Sequence, residues 1–234
     1  MKIAIMQPYF FPYIGYFQLI NAVDKFIVYD NVEFTKRGWF HRNKLLFDNK
    51  VEYFCINIKS DSDYLNVNDR YISSVYFKKG KIKILRKINQ YYKDAPFFNT
   101  AFPIVKEILE YNDDNLFNYI FNSIIRVNQH LRLDTEVIVA SNIPINHDLK
   151  GQSRIFEICQ YFKANDYINS IGGSELYSKD DFKNKGINLY FLKCNTPVYK
   201  QFNNEFIRHL SIIDVMMFNS PDVIDTMLNE YKLV

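Results

Sequence analysis

Residues 2–17 read Lys2-Ile3-Ala4-Ile5-Met6-Gln7-Pro8-Tyr9-Phe10-Phe11-Pro12-Tyr13-Ile14-Gly15-Tyr16-Phe17, and the class of the fold turns on them. Ile3, Ala4, Ile5 and Met6 form a short apolar run that stops at Pro8, which predicts a buried strand over 2–7. A Pro- and aromatic-rich turn follows, then a helix expected over 13–22. Working outward, further strands are expected over 25–30, 51–58, 136–140, 167–171 and 187–192. Helices are expected over 154–163, 178–185, 207–218 and 221–231. Ser178 and Asp181 are placed for a capping box, and Ser220-Pro221 pairs a cap with a first-turn proline. Between 72 and 132 the pattern is mainly helical, over 72–92 (Ile82, Leu85 and Ile88 at three-residue spacing), 102–110 and 116–131. The last has cap residues in Asn112-Asp113-Asp114 and an apolar stripe of Leu116, Tyr119, Ile120, Ile124, Val127 and Leu131. Short apolar strands alternating with helices predict an α/β fold with a mostly parallel, Rossmann-like sheet, helices on both faces, and a helical insertion at about 72–132.

The 234 residues suit one domain over 1–234, and 48% apolar with 24% charged residues gives a core of ordinary size. Tyr and Phe dominate an aromatic content of 17%, enough to line a pocket as well as a core. The net charge of +3 is spread among both signs, so no nucleic-acid-binding tail is implied. Cys55, Cys159 and Cys194 are an odd, widely spaced set, which argues for a reducing compartment rather than a disulfide framework. The first residues do not read as a signal peptide, and no apolar run reaches the roughly 18 residues of a membrane helix. A cytoplasmic protein without membrane contact is expected.

Ligands on parallel sheets bind beyond the carboxyl ends of the strands. Here those ends carry Gln7-Pro8, Asp30, Ser141-Asn142 and Gly172-Gly173-Ser174. In nucleotidylyltransferase-like domains the first strand–helix turn carries His-x-Gly-His; Tyr13-Ile14-Gly15-Tyr16 keeps the glycine and has tyrosines for the histidines. A phosphate at this helix start and a rigid aromatic turn are competing readings. Asp30 sits where an acidic residue reads a ribose in doubly wound sheets, but no Gly-x-Gly-x-x-Gly accompanies it, and a turn-forming Asp is the alternative. In the segment from Lys36 to Lys44, Arg42 and Lys44 suit phosphate oxygens and Trp39 suits a stacked ring; a solvated basic loop is the alternative. Cys159 lies on an apolar stripe with Ile155, Ile158 and Phe162 and reads as core. The histidines show no metal-ligand spacing, and no metal or cofactor is expected; His147, in a polar loop, is the one candidate general base among them. Asp214 shares a helix face with Leu210, Ile213 and Met217, so its carboxylate should point inward, towards a functional or a structural network.

Several of these segments together resemble the WbqC-like family of bacterial surface-polysaccharide gene clusters. They are Gln7-Pro8-x-x-x-Pro12-x-x-Gly15-Tyr16-Phe17, Asp24 through Asp30, Trp39-x-x-Arg42-Asn43, Tyr167 to Gly173 with Tyr177, Tyr199-x-Gln201, and Leu210-Ser211-Ile212-Ile213-Asp214. Phe40-His41 departs from the polar residue usual before Arg-Asn, and Asn219-Ser220 from the usual Asn-x-Gly close. The resemblance implies a transferase of O-antigen biosynthesis that moves an acyl or aminoacyl group, such as glycyl, from a carrier thioester to the amine of a nucleotide-linked amino sugar. The implied partners are that sugar nucleotide and an acyl or aminoacyl carrier protein. The diphosphate is then expected near Gln7, Gly15, Tyr16 and Arg42, with Trp39 or Tyr9 stacked on a ring. Asp214, Asp30 or His147 would be the base, and Asn43 or the amides around Gly173 would hold the oxyanion. Tyr177, Tyr199 and Gln201 complete the substrate-binding set. A nucleotidylyltransferase-like enzyme and a non-catalytic sugar-nucleotide or partner-binding protein are the alternatives.

Overall fold

In the computed structural model, which describes residues 1–48, 50–202 and 205–234, strand β1 (Lys2–Met6) passes through helix α1 (Ile14–Asn21) to strand β2 (Lys25–Val28). Alternate side chains of a strand face opposite ways. Ala4, Phe26 and Val28 enter one apolar core, while Ile3, Ile5 and Ile27 enter another. Both faces of the strand pair are covered, which is why the apolar runs lack polar alternation. The pair is parallel, with Ile3 opposite Lys25 and Met6 opposite Val28.

The chain then leaves the sheet as an antiparallel hairpin, β3 (Arg42–Phe47) and β4 (Lys50–Cys55), followed by helices α2 (Lys81–Tyr92), α3 (Phe98–Glu110) and α4 (Leu116–His130). It returns through β5 (Glu136–Val139), α5 (Gly151–Tyr161), β6 (Asp166–Ser170), α6 (Lys179–Asn184) and β7 (Asn188–Cys194). It ends with α7 (Ile212–Phe218), α8 (Pro221–Leu228) and β8 (Tyr231–Leu233). The six-stranded sheet has the order β5-β2-β1-β6-β7-β8. Every neighbouring pair is parallel except β7 with β8. Helices α1 to α4, α7 and α8 pack on the core of Ala4; α5 and α6 pack on that of Ile3. The fold is therefore the expected Rossmann-like α/β sheet with helices on both faces, and the helical block between 72 and 132 shares the first core with the hairpin.

Several local expectations are corrected. Residues 51–58 were expected as a sheet strand, but β4 pairs with β3, so the cationic segment ends in a strand of its own. On α2 the buried positions are Ile84, Ile88 and Tyr92, at four-residue spacing, while Ile82 is exposed. Helix α3 begins earlier than 102, because its first turn is fixed by Phe98 stacked on Phe102 at 4.7 Å. Asn115 rather than Asn112-Asp113-Asp114 caps α4, accepting from the Asn118 amide. Ser178 makes no side-chain cap. The helix expected over 207–218 begins only at Ile212, since His209 takes a left-handed φ of 59° and Ser211 caps the Ile213 amide. The last helix ends at Leu228, and the chain turns back as the edge strand β8, with Leu233 opposite Leu192. Ser220 and Pro221 open α8 as expected, Ser220 accepting from the Val223 amide.

Candidate functional site

From the central β1 the connections run one way to β2 and β5 and the other way to β6, β7 and β8. The carboxyl ends of β1 and β6 thus diverge at a topological switch point, the place where doubly wound sheets open a crevice. A cleft of about 270 Å³ lies there, lined by Met6 and Ser170 from the strand ends and by Tyr9, Pro12, Tyr13, Gly15, Tyr16, Leu19, Trp39, Asn43, Lys44 and His209.

The turn that forms its floor is strained and clamped. Phe11 sits at φ 44°, a left-handed conformation costly for a bulky residue. Asn43 Nδ2 donates to the carbonyls of Phe10 (3.1 Å) and Phe11 (2.8 Å), and Ser211 Oγ donates to Phe11 O at 2.8 Å. The Ile212 amide bonds Pro12 O, so the start of α7 and β3 together hold the turn. Gln7 is fixed from the cleft side: Tyr16 OH donates to its carbonyl at 3.0 Å and Tyr9 OH to its Oε1 at 3.2 Å. Burial pushes the Tyr16 phenol well above its ordinary pKa, so it is a donor here and not a base. Gly15 leaves room for the Tyr13 ring to lie over the helix start, since a Cβ there would lie 2.4 Å from that ring and push it aside.

The rim is cationic and aromatic. Trp39 and Tyr53 stack at 6.2 Å, with Lys44 Nζ 5.5 Å from the Trp39 ring centre and the Arg42 guanidinium 5.1 Å from that of Tyr53. Arg42 itself donates to the carbonyls of Gly38 (3.2 Å) and Arg37 (2.5 Å), so it fixes the loop carrying Trp39 and is not among the residues lining the cleft. His209 stands edge-on to Tyr13 at 5.7 Å. Partial burial, then Lys44 and Arg208, hold its pKa below the usual value, which favours the neutral imidazole over the imidazolium. Tyr13, Lys44, Ser170 and His209 were not in the substrate-binding or catalytic set read from the sequence. The signal that brings His209 in is its left-handed backbone, which no side-chain pattern announces.

The residues expected to act together fall into four places. Tyr9, Gly15, Tyr16, Trp39 and Asn43 line this cleft, with Gln7 behind its tyrosines. Asp214 is fully buried and does not line it. Its carboxylate accepts from Tyr199 OH (2.6 Å), Gln201 Nε2 (2.8 Å) and Tyr92 OH (2.8 Å), tying α7 to α2 and to the segment before it. Burial raises its pKa, opposed by those three hydrogen bonds. Asp30, 2% exposed, accepts from the Ser141 amide (2.9 Å) and Asn68 Nδ2 (3.1 Å), joining the ends of β2 and β5. His147 and Tyr177 line a second cleft, at the ends of β2 and β5. His147 Nε2 lies 3.0 Å from Ile143 O, and its Nδ1 meets Asn31 Nδ2 and Arg154, each at 3.2 Å. Gly173 is buried in the turn after β6, where a Cβ would come 2.4 Å from Asn169 Nδ2. Cys159 is core on α5, burial pushing its thiol up to about 12. Among the described residues, no group of three or more His, Cys, Asp or Glu side chains converges as a metal site, and no helix is long and apolar enough to cross a membrane.

The uncharacterized protein Rv1507c of Mycobacterium tuberculosis (strain ATCC 25618 / H37Rv) is 24% identical over 220 residues, covering 93% of each chain. No solved structure gives a significant match. A model of the WbqC-like protein family matches residues 7–226, from the turn at Gln7 into α8, and so takes in both clefts and the Asp214 network. The chain belongs to the WbqC-like protein family.

Proposed function

We propose that the cleft between β1 and β6 binds a nucleotide-linked amino sugar and that the protein transfers an acyl or aminoacyl group to its amine from a carrier-bound thioester, in bacterial surface-polysaccharide (O-antigen) biosynthesis. The observation that carries the reading is the pairing of a tyrosine- and tryptophan-lined cleft at the switch point with a histidine on its wall, edge-on to Tyr13. Aromatic faces suit a sugar or base ring. The chemistry needs the amine unprotonated. Its nitrogen lone pair attacks the thioester carbonyl carbon, the C–S bond breaks, and the amine proton passes to the departing thiolate, with His209 as the relay. Asp30, His147 and Asp214 are the other candidate bases, and each already meets at least two hydrogen-bonding partners. That saturation favours His209 for the proton and leaves Asp214, with Tyr199 and Gln201, as a positioning network behind the turn. Binding two substrates in fixed geometry supplies much of the rate of such a reaction, so a modest base suffices.

The same saturation is the one observation that favours a binding protein without chemistry as a second reading. Incubation with dTDP- and UDP-linked amino sugars and an acyl or aminoacyl thioester decides between them. The expected result is stoichiometric thiol release with an amide product seen by mass, lost in His209→Ala. Tight binding without thiol release for any pair selects the binding protein.

A further inference from the structure

The second cleft, about 550 Å³ at the ends of β2 and β5, has an unbalanced charge in its wall. Arg154 is 7% exposed. Its guanidinium donates to Asn31 O at 3.4 Å and to Asn31 Oδ1, meets His147 Nδ1 at 3.2 Å, and lies 4.9 Å over the ring of Tyr29. None of these partners carries a negative charge. No carboxylate pairs with Arg154 among the described residues, and its Nε has no hydrogen-bond partner. A cation taken out of water without a counter-charge is strongly unfavourable, so the arrangement calls for an anion.

The start of α5 points the same way. This 11-residue helix opens on the cleft with Lys150 at its cap position, no side-chain cap and no acidic residue in its first turn. Its first N–H groups and the positive end of its dipole therefore stand uncompensated beside Arg154. Glu33 and Asp148 also line the cleft, but both are exposed to solvent.

We propose that this cleft is a phosphate site, taking the phosphate of a phosphoester ligand between Arg154 and the first-turn amides of Gly151, Gln152 and Ser153, with Lys150 on the solvent side. Tyr29, Tyr64 and Tyr177 give ring surface to the rest of the ligand. Two sources share this chemistry, the diphosphate of a nucleotide and the phosphate of a carrier's pantetheine arm. The site does not depend on the transferase reading, because occupancy is measured without turnover.

The test is calorimetric titration of the full chain with pyrophosphate, then dTDP, UDP and 4′-phosphopantetheine. Pyrophosphate binds the wild type. Arg154→Met weakens it by about ten- to a hundredfold, the range for loss of a charge-assisted hydrogen bond. Arg154→Lys also weakens it, since an ammonium lacks the planar fork. Lys150→Gln, on the surface, weakens it less and carries the test if Arg154→Met fails to fold. Tighter binding of dTDP or UDP than of pyrophosphate, weakened by Arg154→Met in step with pyrophosphate, assigns the nucleotide source, and tighter 4′-phosphopantetheine weakened likewise assigns the carrier arm; nucleotide binding that Arg154→Met leaves unchanged belongs to the first cleft and excludes the nucleotide as this site's ligand. No pyrophosphate binding, or binding that these variants leave unchanged, overturns the proposal. Absence of thiol release with intact pyrophosphate binding would remove the transferase reading and leave this site standing.

Discussion

Replacing Asp214 tests whether the buried network holds the turn beneath the first cleft. Three donors converge on its two oxygens: the Tyr92 and Tyr199 hydroxyls each commit their one proton there, the Tyr92 oxygen itself accepting the Leu46 amide at 3.0 Å, and Gln201 Nε2 gives one of its two protons while also donating to Ile207 O at 3.2 Å. Asp214→Ala orphans all three, at about 1–3 kcal/mol each. Removing a desolvated carboxylate returns part of that, so the net loss is about 3–5 kcal/mol, the usual range for breaking a buried charged network. For a chain of this size that lowers the Tm by about 10 °C. Asp214→Asn keeps one acceptor and loses about 1–3 kcal/mol, or about 5 °C. The pH dependence has a defined sign. Burial raises the carboxyl above its ordinary 3.8, so between that value and the folded one the native state holds more protons than the unfolded state. Stability then falls as pH rises through the window. Asn cannot titrate, so the gap between wild type and Asp214→Asn narrows as pH rises. Thermal unfolding followed by circular dichroism across that range gives both quantities. An unchanged Tm for Asp214→Ala, or a gap that widens with pH, would refute the account.

Other expected outcomes are direct. The His209 imidazole should titrate by NMR below 6.5, and Lys44→Gln should move it upward, because Lys44 is one of the cations depressing it; a midpoint above 6.5 contradicts the assignment. Gly15→Ala should displace the Tyr13 ring and weaken ligand binding in the first cleft, with stability unchanged or raised by up to about 1 kcal/mol from helix propensity, as read by paired binding and melting curves. Trp39 is the single tryptophan, so its emission should respond to ligands of the first cleft and stay constant on pyrophosphate addition. Ser220→Ala should cost about 1 kcal/mol in denaturant unfolding, the value of a lost helix cap.

The sheet was legible because its strands are buried on both faces. Ile3 to Met6 and Phe26 to Val28 are apolar without alternation, and Ser220-Pro221 announces its helix in two residues. The hairpin was not, because Arg42 and Lys44 are polar residues on a strand and read as a charged loop; Leu45 and Phe47 reveal it only once Phe54 is known to oppose Asn43. The site was half legible for a related reason. The aromatic turn lies within a few residues of β1, so sequence proximity carries Tyr9, Gly15 and Tyr16 into one cleft. Trp39, Asn43 and His209 arrive over long loops, and His209 through a backbone conformation that local pattern does not encode. Asp214 is inward-facing as expected, though Leu210, read as sharing its helix face, precedes α7, and every residue of α7 is buried. Its partners Tyr199 and Gln201 are near in sequence, but Tyr92 comes from α2, which only tertiary packing brings there.

The two clefts lie at the ends of neighbouring strands, joined there by one backbone hydrogen bond. Met6 lines the first cleft and Tyr29 the second, and the Tyr29 amide bonds the Met6 carbonyl at 2.8 Å. Adjacent strands stand only about 4.8 Å apart. Gln7 continues directly from Met6 and is pinned through its carbonyl and its side chain by Tyr16 and Tyr9. Ligand groups seated on the aromatic side and on the Arg154 side would therefore face each other across the ends of β1 and β2. Phe11, beside the first cleft, is held in its left-handed conformation by Asn43 and Ser211. If both proposed sites are filled, an aromatic cleft at the end of β1 and, among the described residues, a buried cation without a carboxylate partner near the end of β2 would hold two groups of unlike chemistry side by side.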